Sequence, residues 1–181
     1  VEIGRALGLR ESVTRHVHVR QRQSGLSEAD KVEDLVALLA DGGDCLDDID
    51  ALRADAGFER LLGRRLGSPD AYRRFLYAFH DERLVVEAQQ SRSPEQKAYI
   101  VGENAPLRGL HEVNVDLVRR VAAVRPCSTA TLDHDATIQE SHKEEAMPHY
   151  KGGIGYQPSA IYWAEQNLVV ADEYRDGNVP A

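Results

Sequence analysis

The stretch TATLDHDATIQESH, residues 129–142, decides how the second half of the chain folds. Successive side chains of a β-strand point to opposite faces of the sheet, so residues two positions apart share a face. One face therefore presents the carboxylates of Asp133 and Asp135, flanked by the hydroxyls of Thr131 and Thr137. The opposite face is mostly apolar and consists of Ala130, Leu132, His134, Ala136 and Ile138. The alternation predicts a strand with one buried face and one face that carries two carboxylates.

Two interpretations of these carboxylates fit the spacing. Hard divalent ions such as Mg²⁺ take carboxylate oxygens as ligands, and a carboxylate fixed on a strand is a rigid support for such a site. The same spacing also suits the solvated face of a half-exposed strand, which the spacing by itself favours. A histidine metal site is disfavoured, because His134, His142 and His149 match no standard zinc spacing and no cysteine lies near them.

Two further strands are predicted downstream, in SAIYWAEQ (159–166) and LVVADEYRDGN (168–178). A tight turn at Gln166-Asn167 would join them as an antiparallel hairpin, which gives three antiparallel strands in all. KGGIGY (151–156) lacks the Gly-Lys-Ser/Thr ending of a phosphate-binding loop, so we interpret it as a flexible turn. The chain opens without Met and stops at GNVPA, soon after the last strand, so we expect a truncated sheet.

The first part of the chain has the periodicity of helices joined by short turns. Ser27 is placed to cap one helix, and Ser68-Pro69 is a strong start signal for another. The predicted helical segments are residues 26–43, 45–63 (broken near Gly57), 68–88 and 106–124. The fold class is therefore α+β, with a helical region at 1–92, a linker and connecting helix at 93–126, and the strands at 127–181.

Composition limits the classes of function. The chain has 22 Lys and Arg against 30 Asp and Glu, a net charge of −8, which argues mildly against non-specific coating of nucleic acid. No apolar run approaches the roughly 18 residues of a membrane-spanning helix, so no membrane partner is expected. Cys45 and Cys127 stand far apart and form no disulfide framework, which is typical of a reducing cytoplasm.

Local basic clusters could still contact DNA. One lies in the N-terminal run and comprises Arg10, Arg15, Arg20 and Arg22. The second surrounds Ser68 and comprises Arg64, Arg65, Arg73 and Arg74. LLGRRLGSPDAYRRFLYAF (61–79) is similar to a helix-turn-helix unit whose helix start presents amide donors and positive charge to phosphates. An ordinary solvated basic face fits these residues equally well.

Four segments together resemble a known family. They are GGDCLDDIDALRAD (42–55), LDHDAT (132–137), GYQP (155–158) and RDGNVPA (175–181). The sequence is similar to the DDE transposases of bacterial insertion sequences, of the cut-and-paste type, and to their N-terminal and first-strand part in particular. This resemblance implies a helical DNA-binding region followed by an RNase H-like catalytic domain, of which residues 127–181 would supply the first three strands.

The resemblance also implies the chemistry. Such enzymes cleave and join DNA at transposon ends with two Mg²⁺ (or Mn²⁺) ions, held by two Asp and one Glu. The family pattern Asp-x-Thr assigns the catalytic metal ligand to Asp135, with Asp133 on the same face as the alternative and Thr137 as support for the ligand. The implied partners are double-stranded DNA, as inverted-repeat ends and target, and a second copy of the chain, in the nucleoid-associated bacterial cytoplasm.

The sequence departs from the family pattern after its third strand. The second Asp is expected on a fourth strand and the Glu on a later helix, whereas Asp172, Glu173 and Asp176 follow the third strand too closely to replace them. We therefore expect that this chain by itself does not cleave DNA. Two alternatives remain: a non-catalytic helical DNA-binding module or repressor derived from a transposase, and an unrelated α+β protein with solvated aspartates.

Overall fold

The computed structural model describes residues 1–20, 24–93 and 98–179, and within them helices come first and strands last. Two units are distinguished by their internal contacts. One comprises Val1–His80 with Asn104–Leu117, and the other comprises Asp81–Glu103 with Val118–Ala181. The first unit is helical, and the second contains every strand of the described residues. The α+β class predicted from the sequence is confirmed.

The secondary structure elements are numbered here in chain order. The helices are α1 (Glu2–Ala6), α2 (Leu9–His16), α3 (Glu28–Ala40), α4 (Ile49–Ala54, preceded by a 3₁₀ turn at Leu46–Asp48), α5 (Ala56–Leu62), α6 (Pro69–Tyr77), α7 (Glu82–Ser91) and α8 (Ala105–Val124). The strands are β1 (Leu132–Ala136), β2 (Gln139–Glu140), β3 (Met147–Pro148), β4 (Ile154–Tyr156), β5 (Ser159–Trp163) and β6 (Leu168–Glu173).

Side-chain caps set the helix starts. Ser27 caps α3 as predicted: its hydroxyl accepts from the Asp30 N–H at 3.0 Å, and the Asp30 carboxylate accepts from the Ser27 N–H at 2.8 Å. The prediction that segment 45–63 is broken near Gly57 is confirmed, although the break comes two residues earlier. The break lies at Asp55, because its carboxylate accepts from the Gly57 and Phe58 amides and so starts α5. Segment 68–88 is likewise divided, because Asp81 caps α7.

The helical unit has two apolar cores. The first is built from α2, α3, α6 and α8, with Leu9, Val13, Val17, Ala29, Phe75, Phe79 and Val113. The second surrounds Tyr72 and contains Leu38, Ile49, Leu52, Leu62 and Leu66. A Cβ atom on Gly109 of α8 would lie 2.2 Å from the carbonyl oxygen of His16, so only glycine permits this close approach of two backbones. The apolar residues that recur at helical spacing in the sequence therefore form both cores.

The carboxylate strand belongs to a three-stranded antiparallel sheet of order β1-β5-β6. Asp133 lies opposite Tyr162, and Asp135 lies opposite Ala160. The predicted hairpin between β5 and β6 is confirmed, and its turn ends at Asn167, which has a positive φ of 59°. Asparagine tolerates this left-handed conformation better than most residues. The pairing of β5 with β6 was therefore predictable from the sequence.

A second sheet, of order β2-β4-β3, corrects the prediction for KGGIGY. Residues Ile154–Tyr156 of that segment form β4, the central strand, rather than part of a flexible turn. A Cβ atom on Gly155 would lie 2.2 Å from the carbonyl oxygen of Gln139, so glycine lets the two strands pair closely. The described residues thus form six short strands where three were predicted.

The predicted burial of β1 was also wrong. Leu132 is 58% exposed, and Ala136 is the one residue of β1 that is even half-buried. β1 is an edge strand of its sheet, and its main contacts within the described ranges are with β5. Both faces of the strand are therefore accessible.

Candidate functional site

Asp135 lies in an open cleft of about 480 Å³. The cleft is lined by residues 134–136 of β1 and by Tyr150, Gln157, Asn178 and Val179. Asp133 shares the face of Asp135 but is not among the lining residues. The structure therefore separates the two candidate aspartates by their surroundings.

The carboxylate of Asp135 is exposed, and it forms no hydrogen bond or ion pair within residues 1–20, 24–93 and 98–179. Its cross-strand neighbour Ala160 is small and leaves room above the strand. Gln157 and Asn178 also line the cleft. Carboxylate oxygen atoms are ligands that hard divalent cations prefer, so the side chain of Asp135 fits Mg²⁺ or Mn²⁺.

Both ends of β1 are held by hydrogen bonds. Before the strand, the carboxylate of Glu165 accepts from the Thr131 N–H at 2.8 Å and from its hydroxyl at 2.6 Å. These bonds lower the pKa of Glu165. After the strand, the Thr137 N–H donates to the carbonyl oxygen of Pro158 at 2.9 Å. Asp135 therefore projects from a backbone that is fixed on either side.

The cleft wall forms where two of the quoted segments meet. The Gln157 N–H donates to the Arg175 carbonyl oxygen at 2.8 Å, and the Gly177 N–H donates to the Gly155 carbonyl oxygen at 3.1 Å. An antiparallel bridge joins Tyr156 to Asp176 between these bonds. GYQP and RDGN thus lie side by side next to the LDHDAT strand, although they are far apart in the sequence.

Sequence reasoning missed four of the lining residues, namely Tyr150, Gln157, Asn178 and Val179. Gln157 and Asn178 lie within GYQP and RDGN, so the signal was present in segments that had been singled out as distinctive. Their role could not be assigned, because residues 151–156 were interpreted as a turn and the pairing of residues 155–157 with 175–177 was not predicted.

Asp172 lies on the same face as Asp135, separated from it by Ala160 on the central strand. Two strand spacings amount to about 10 Å, whereas the oxygen ligands of one Mg²⁺ lie about 2 Å from the ion. Glu173 pairs with Ser159 and projects from the opposite face. Asp176 is held in the bridge to Tyr156, and burial raises the pKa of its carboxyl group. None of the three shares the surroundings of Asp135.

The histidines near the strand are not assembled as ligands. His134 shares a hydrogen bond with Ser159 at 2.6 Å, and Nδ1 of His149 accepts from the Lys151 N–H at 3.3 Å. Within the described ranges, the one group of three potential ligands with mutually close donor atoms is Asp44, Cys45 and Asp48. The carboxylate of Asp48 accepts there from the amides of Cys45 and Asp44, which lowers its pKa, so that group is explained as a helix cap.

Arg64 lies inside the helical unit. Its guanidinium donates to both carboxylate oxygens of Asp34, at 2.9 and 2.7 Å, and forms ion pairs with Asp30 and Glu33. Asp34 is completely buried, and it also accepts from the Tyr72 hydroxyl at 2.6 Å. The Arg64 guanidinium is therefore paired with carboxylates of its own unit.

The other arginines around α6 are on the surface. The side chain of Arg65 is 88% exposed, and that of Arg74 is 74% exposed. Arg73 is half-exposed and forms long ion pairs with Asp47 at 3.5 Å and Asp70 at 3.7 Å. These three side chains are accessible to a partner.

Ser68 is exposed at the start of α6, and its hydroxyl does not cap the helix. Segment 61–79, predicted to resemble a helix-turn-helix unit, contains the end of α5, the connection 63–68 and α6. In the N-terminal cluster, Arg20 pairs with Glu28 at 2.6 Å, and Arg22 lies outside the described residues. Whether any of these residues contacts DNA stays a prediction.

None of the helices in residues 1–20, 24–93 and 98–179 has the length and apolar character of a membrane span.

The comparison with protein families shows to which family the chain belongs. Comparison with curated proteins and with solved structures gives no match. The family described as Transposase DDE domain group 1 matches residues 1–181, which is the whole sequence. The chain belongs to the DDE transposases.

Proposed function

We propose that this chain is part of the transposase of a bacterial insertion sequence, which binds transposon-end DNA and takes part in metal-dependent strand cleavage and transfer. The observation that carries the proposal is the unpaired carboxylate of Asp135 in a cleft where three family-like segments converge. Membership of the DDE transposases supports the reaction class. The strand order β1-β5-β6, with the carboxylates on the first strand, supports an RNase H-like domain.

Asp135 is the residue we assign as catalytic metal ligand, with Asp133 as the alternative on the same face. A bound Mg²⁺ or Mn²⁺ supplies Lewis-acid stabilisation of the charge that develops on phosphate oxygens. The protein's own contribution is to hold the Asp135 carboxylate on a strand fixed at both ends. Thr137, one residue beyond β1, would support that position.

Residues 1–181 supply one of the three carboxylates that the resemblance implies, so we expect them to bind metal and DNA without cleaving DNA on their own. The boundaries at 92/93 and 126/127 remain our proposal for the functional division of the chain. Binding of two DNA ends would require two copies of the protein, and the proposed location is the bacterial nucleoid.

For DNA binding, we assign phosphate contacts to Arg65, Arg73 and Arg74, together with Ser68 at the start of α6. Exposed guanidinium groups and free helix-start amides are typical phosphate donors. Arg64 is given a structural role instead, because Asp34 engages both terminal nitrogens of its guanidinium. Arg20 lies beside Glu28 and is a secondary candidate.

A titration of the full chain with Mn²⁺, followed by the electron paramagnetic resonance signal of the free ion, tests the metal site. We expect Asp135→Asn to abolish most of the binding and Asp133→Asn to retain it. An equal loss of Mn²⁺ binding in both variants would indicate that both aspartates are ligands of the ion. Unchanged binding in the double variant would contradict the proposed function, and thermal unfolding of each variant verifies that it is folded.

A further inference from the structure

The side chain of Gln157 is a polar group in the cleft of Asp135 to which the metal proposal gives no role. The residue is 2% exposed and lines the cleft. Its carboxamide forms no hydrogen bond with any residue in the described part of the chain. Polar side chains of folded proteins nearly always have a partner, which is protein, water or a ligand. The carboxamide of Gln157 is therefore available to a ligand that enters the cleft.

The backbone of Gln157 is fixed on both sides. Its N–H donates to the Arg175 carbonyl oxygen at 2.8 Å, and its own carbonyl oxygen accepts from the Arg175 Nε at 3.4 Å. The next residue, Pro158, accepts from the Thr137 N–H just beyond β1. These bonds tie the position of Gln157 to the strand that carries Asp135.

The composition of the cleft limits what this amide can bind. Among the lining residues within the described ranges there is no lysine or arginine, while Asp135 contributes a negative charge. A phosphate next to that carboxylate would be repelled, unless a metal ion or hydrogen-bond donors offset the repulsion. The N–H groups of a carboxamide are neutral donors that suit this position.

We propose that Gln157 donates a side-chain N–H to a phosphate oxygen of the DNA strand that lies against Asp135, and thereby positions that strand. This inference rests on the proposed function, because it takes DNA as the ligand of the cleft. It adds a positioning residue that neither the family pattern of aspartates nor the basic clusters predicted.

The test measures binding of the full chain to a fluorescein-labelled DNA duplex of fixed sequence by anisotropy, without Mg²⁺ or Mn²⁺ and over a range of salt concentrations. Gln157→Met keeps the size of the side chain but removes its donors. We expect the affinity to fall about 3- to 10-fold, the effect of one neutral hydrogen bond. The slope of affinity against salt should be unchanged, because no charge is removed.

Gln139→Met is the matched control, since Gln139 is an exposed glutamine of β2 that does not line the cleft. It should bind DNA like the wild type. If Gln157→Met also binds like the wild type while remaining folded, the side chain only fills space and the inference is overturned. If the wild type does not bind the duplex at all, the inference is overturned as well.

Mn²⁺ binding separates the two proposals. We expect Gln157→Met to bind Mn²⁺ as the wild type does, whereas a weaker affinity would make the amide a metal ligand and overturn its assignment to DNA. If Asp135→Asn keeps full Mn²⁺ binding, the metal proposal fails while the loss of DNA affinity in Gln157→Met can still be observed. Failure of the metal proposal is therefore seen in Mn²⁺ binding, and failure of the Gln157 proposal is seen in DNA affinity.

Discussion

Asp34 in the helical unit and Asp135 in the strand unit are aspartates in opposite circumstances. Asp34 is completely buried, and three hydrogen bonds from Arg64 and Tyr72 satisfy its carboxylate. Asp135 is exposed at a cleft, and no residue in the described ranges pairs with it. The carboxylate that the protein neutralises holds the fold together, whereas the carboxylate that it leaves bare is available to a ligand.

The difference extends to the surroundings of each residue. Around Asp34, the Arg64 guanidinium also meets Asp30 and Glu33, and Glu33 in turn accepts two hydrogen bonds from Arg5. Burial, and then the hydrogen bond to Asp34, raise the pKa of Tyr72. Around Asp135, the strand has accessible faces, and its carboxylate forms no ion pair within the described ranges. An acidic chain can thus contain carboxylates that are paired inside the fold and carboxylates that are open to a ligand, and composition does not distinguish them.

The largest expected effect comes from Asp34→Ala. Removing this carboxylate leaves the Arg64 guanidinium without its bidentate partner inside the unit, so we expect the free energy of unfolding to fall by about 3–5 kcal/mol. Urea denaturation followed by circular dichroism measures the change. Asp135→Asn is the control and should stay within about 0.5 kcal/mol of the wild type. Equal destabilisation by the two substitutions would remove the contrast between the aspartates.

Tyr72→Phe should have the next largest effect. The substitution keeps the ring in the second core but removes the hydroxyl that donates to Asp34 at 2.6 Å and accepts from the Gly67 N–H at 2.9 Å. We expect a loss of about 1–3 kcal/mol in the free energy of unfolding, because two buried partners lose a hydrogen bond. Tyr77→Phe, at an exposed position of the same helix, is the matched control, and a comparable loss there would contradict the assignment.

The helical unit was predictable from the sequence because its signals are local. The cap at Ser27 and the start at Ser68-Pro69 depend on a few neighbouring residues, and the structure has α3 and α6 where they indicated. The partner of Arg64 was not predictable, since Asp34 lies 30 positions away and its burial depends on the tertiary packing. An arginine in a basic cluster looks the same in sequence whether it faces solvent or an internal carboxylate.

The cleft was predictable only in part. Alternation placed Asp133 and Asp135 on one face, and the resemblance favoured Asp135, but neither could show that the cleft includes one and not the other. The cleft wall depends on the pairing of residues 155–157 with 175–177, which is a long-range contact between glycine-containing segments. Gly155 reads as a turn signal in the sequence, although here it allows two strands to approach closely.

Acid should weaken the helical unit through Asp30. Burial raises the pKa of Asp30, but hydrogen bonds from Ser27 and Arg10 outweigh it and hold the pKa at about 2. Because the folded pKa lies below the unfolded value of about 3.9, the contribution of Asp30 is complete above that value and is lost as the pH falls towards 2. We expect up to about 2 kcal/mol from this group.

Urea denaturation of the wild type and of Asp30→Asn between about pH 5 and pH 2 measures this contribution. The variant should be less stable than the wild type at the upper end, and the two should converge at the lower end. A constant difference across the range would show that the charge of Asp30 is not the source of its effect. Asp133→Asn, on the exposed strand, should show no such convergence.

The smallest effect on stability is expected at the surface of α6. Arg73 and Arg74 are exposed there, whereas Arg64 is paired with Asp34 inside the unit. Arg73→Ala with Arg74→Ala removes two exposed guanidinium groups, so the free energy of unfolding should change by less than about 0.5 kcal/mol. DNA affinity should nevertheless fall, and the salt slope of binding should decrease by about 2, one for each lost phosphate contact. Fluorescence anisotropy with the labelled duplex measures both quantities.

Arg83→Ala is the matched control for this pair, because Arg83 is 90% exposed and belongs to α7 rather than to α6. It should leave the salt slope unchanged. If the double variant also keeps the wild-type slope, α6 does not contact phosphate and its arginines form an ordinary solvated face. A reduced slope in the α6 variant, beside an unchanged slope in Gln157→Met, would show two kinds of DNA contact in one chain: charged contacts that orient the duplex, and a neutral contact next to Asp135.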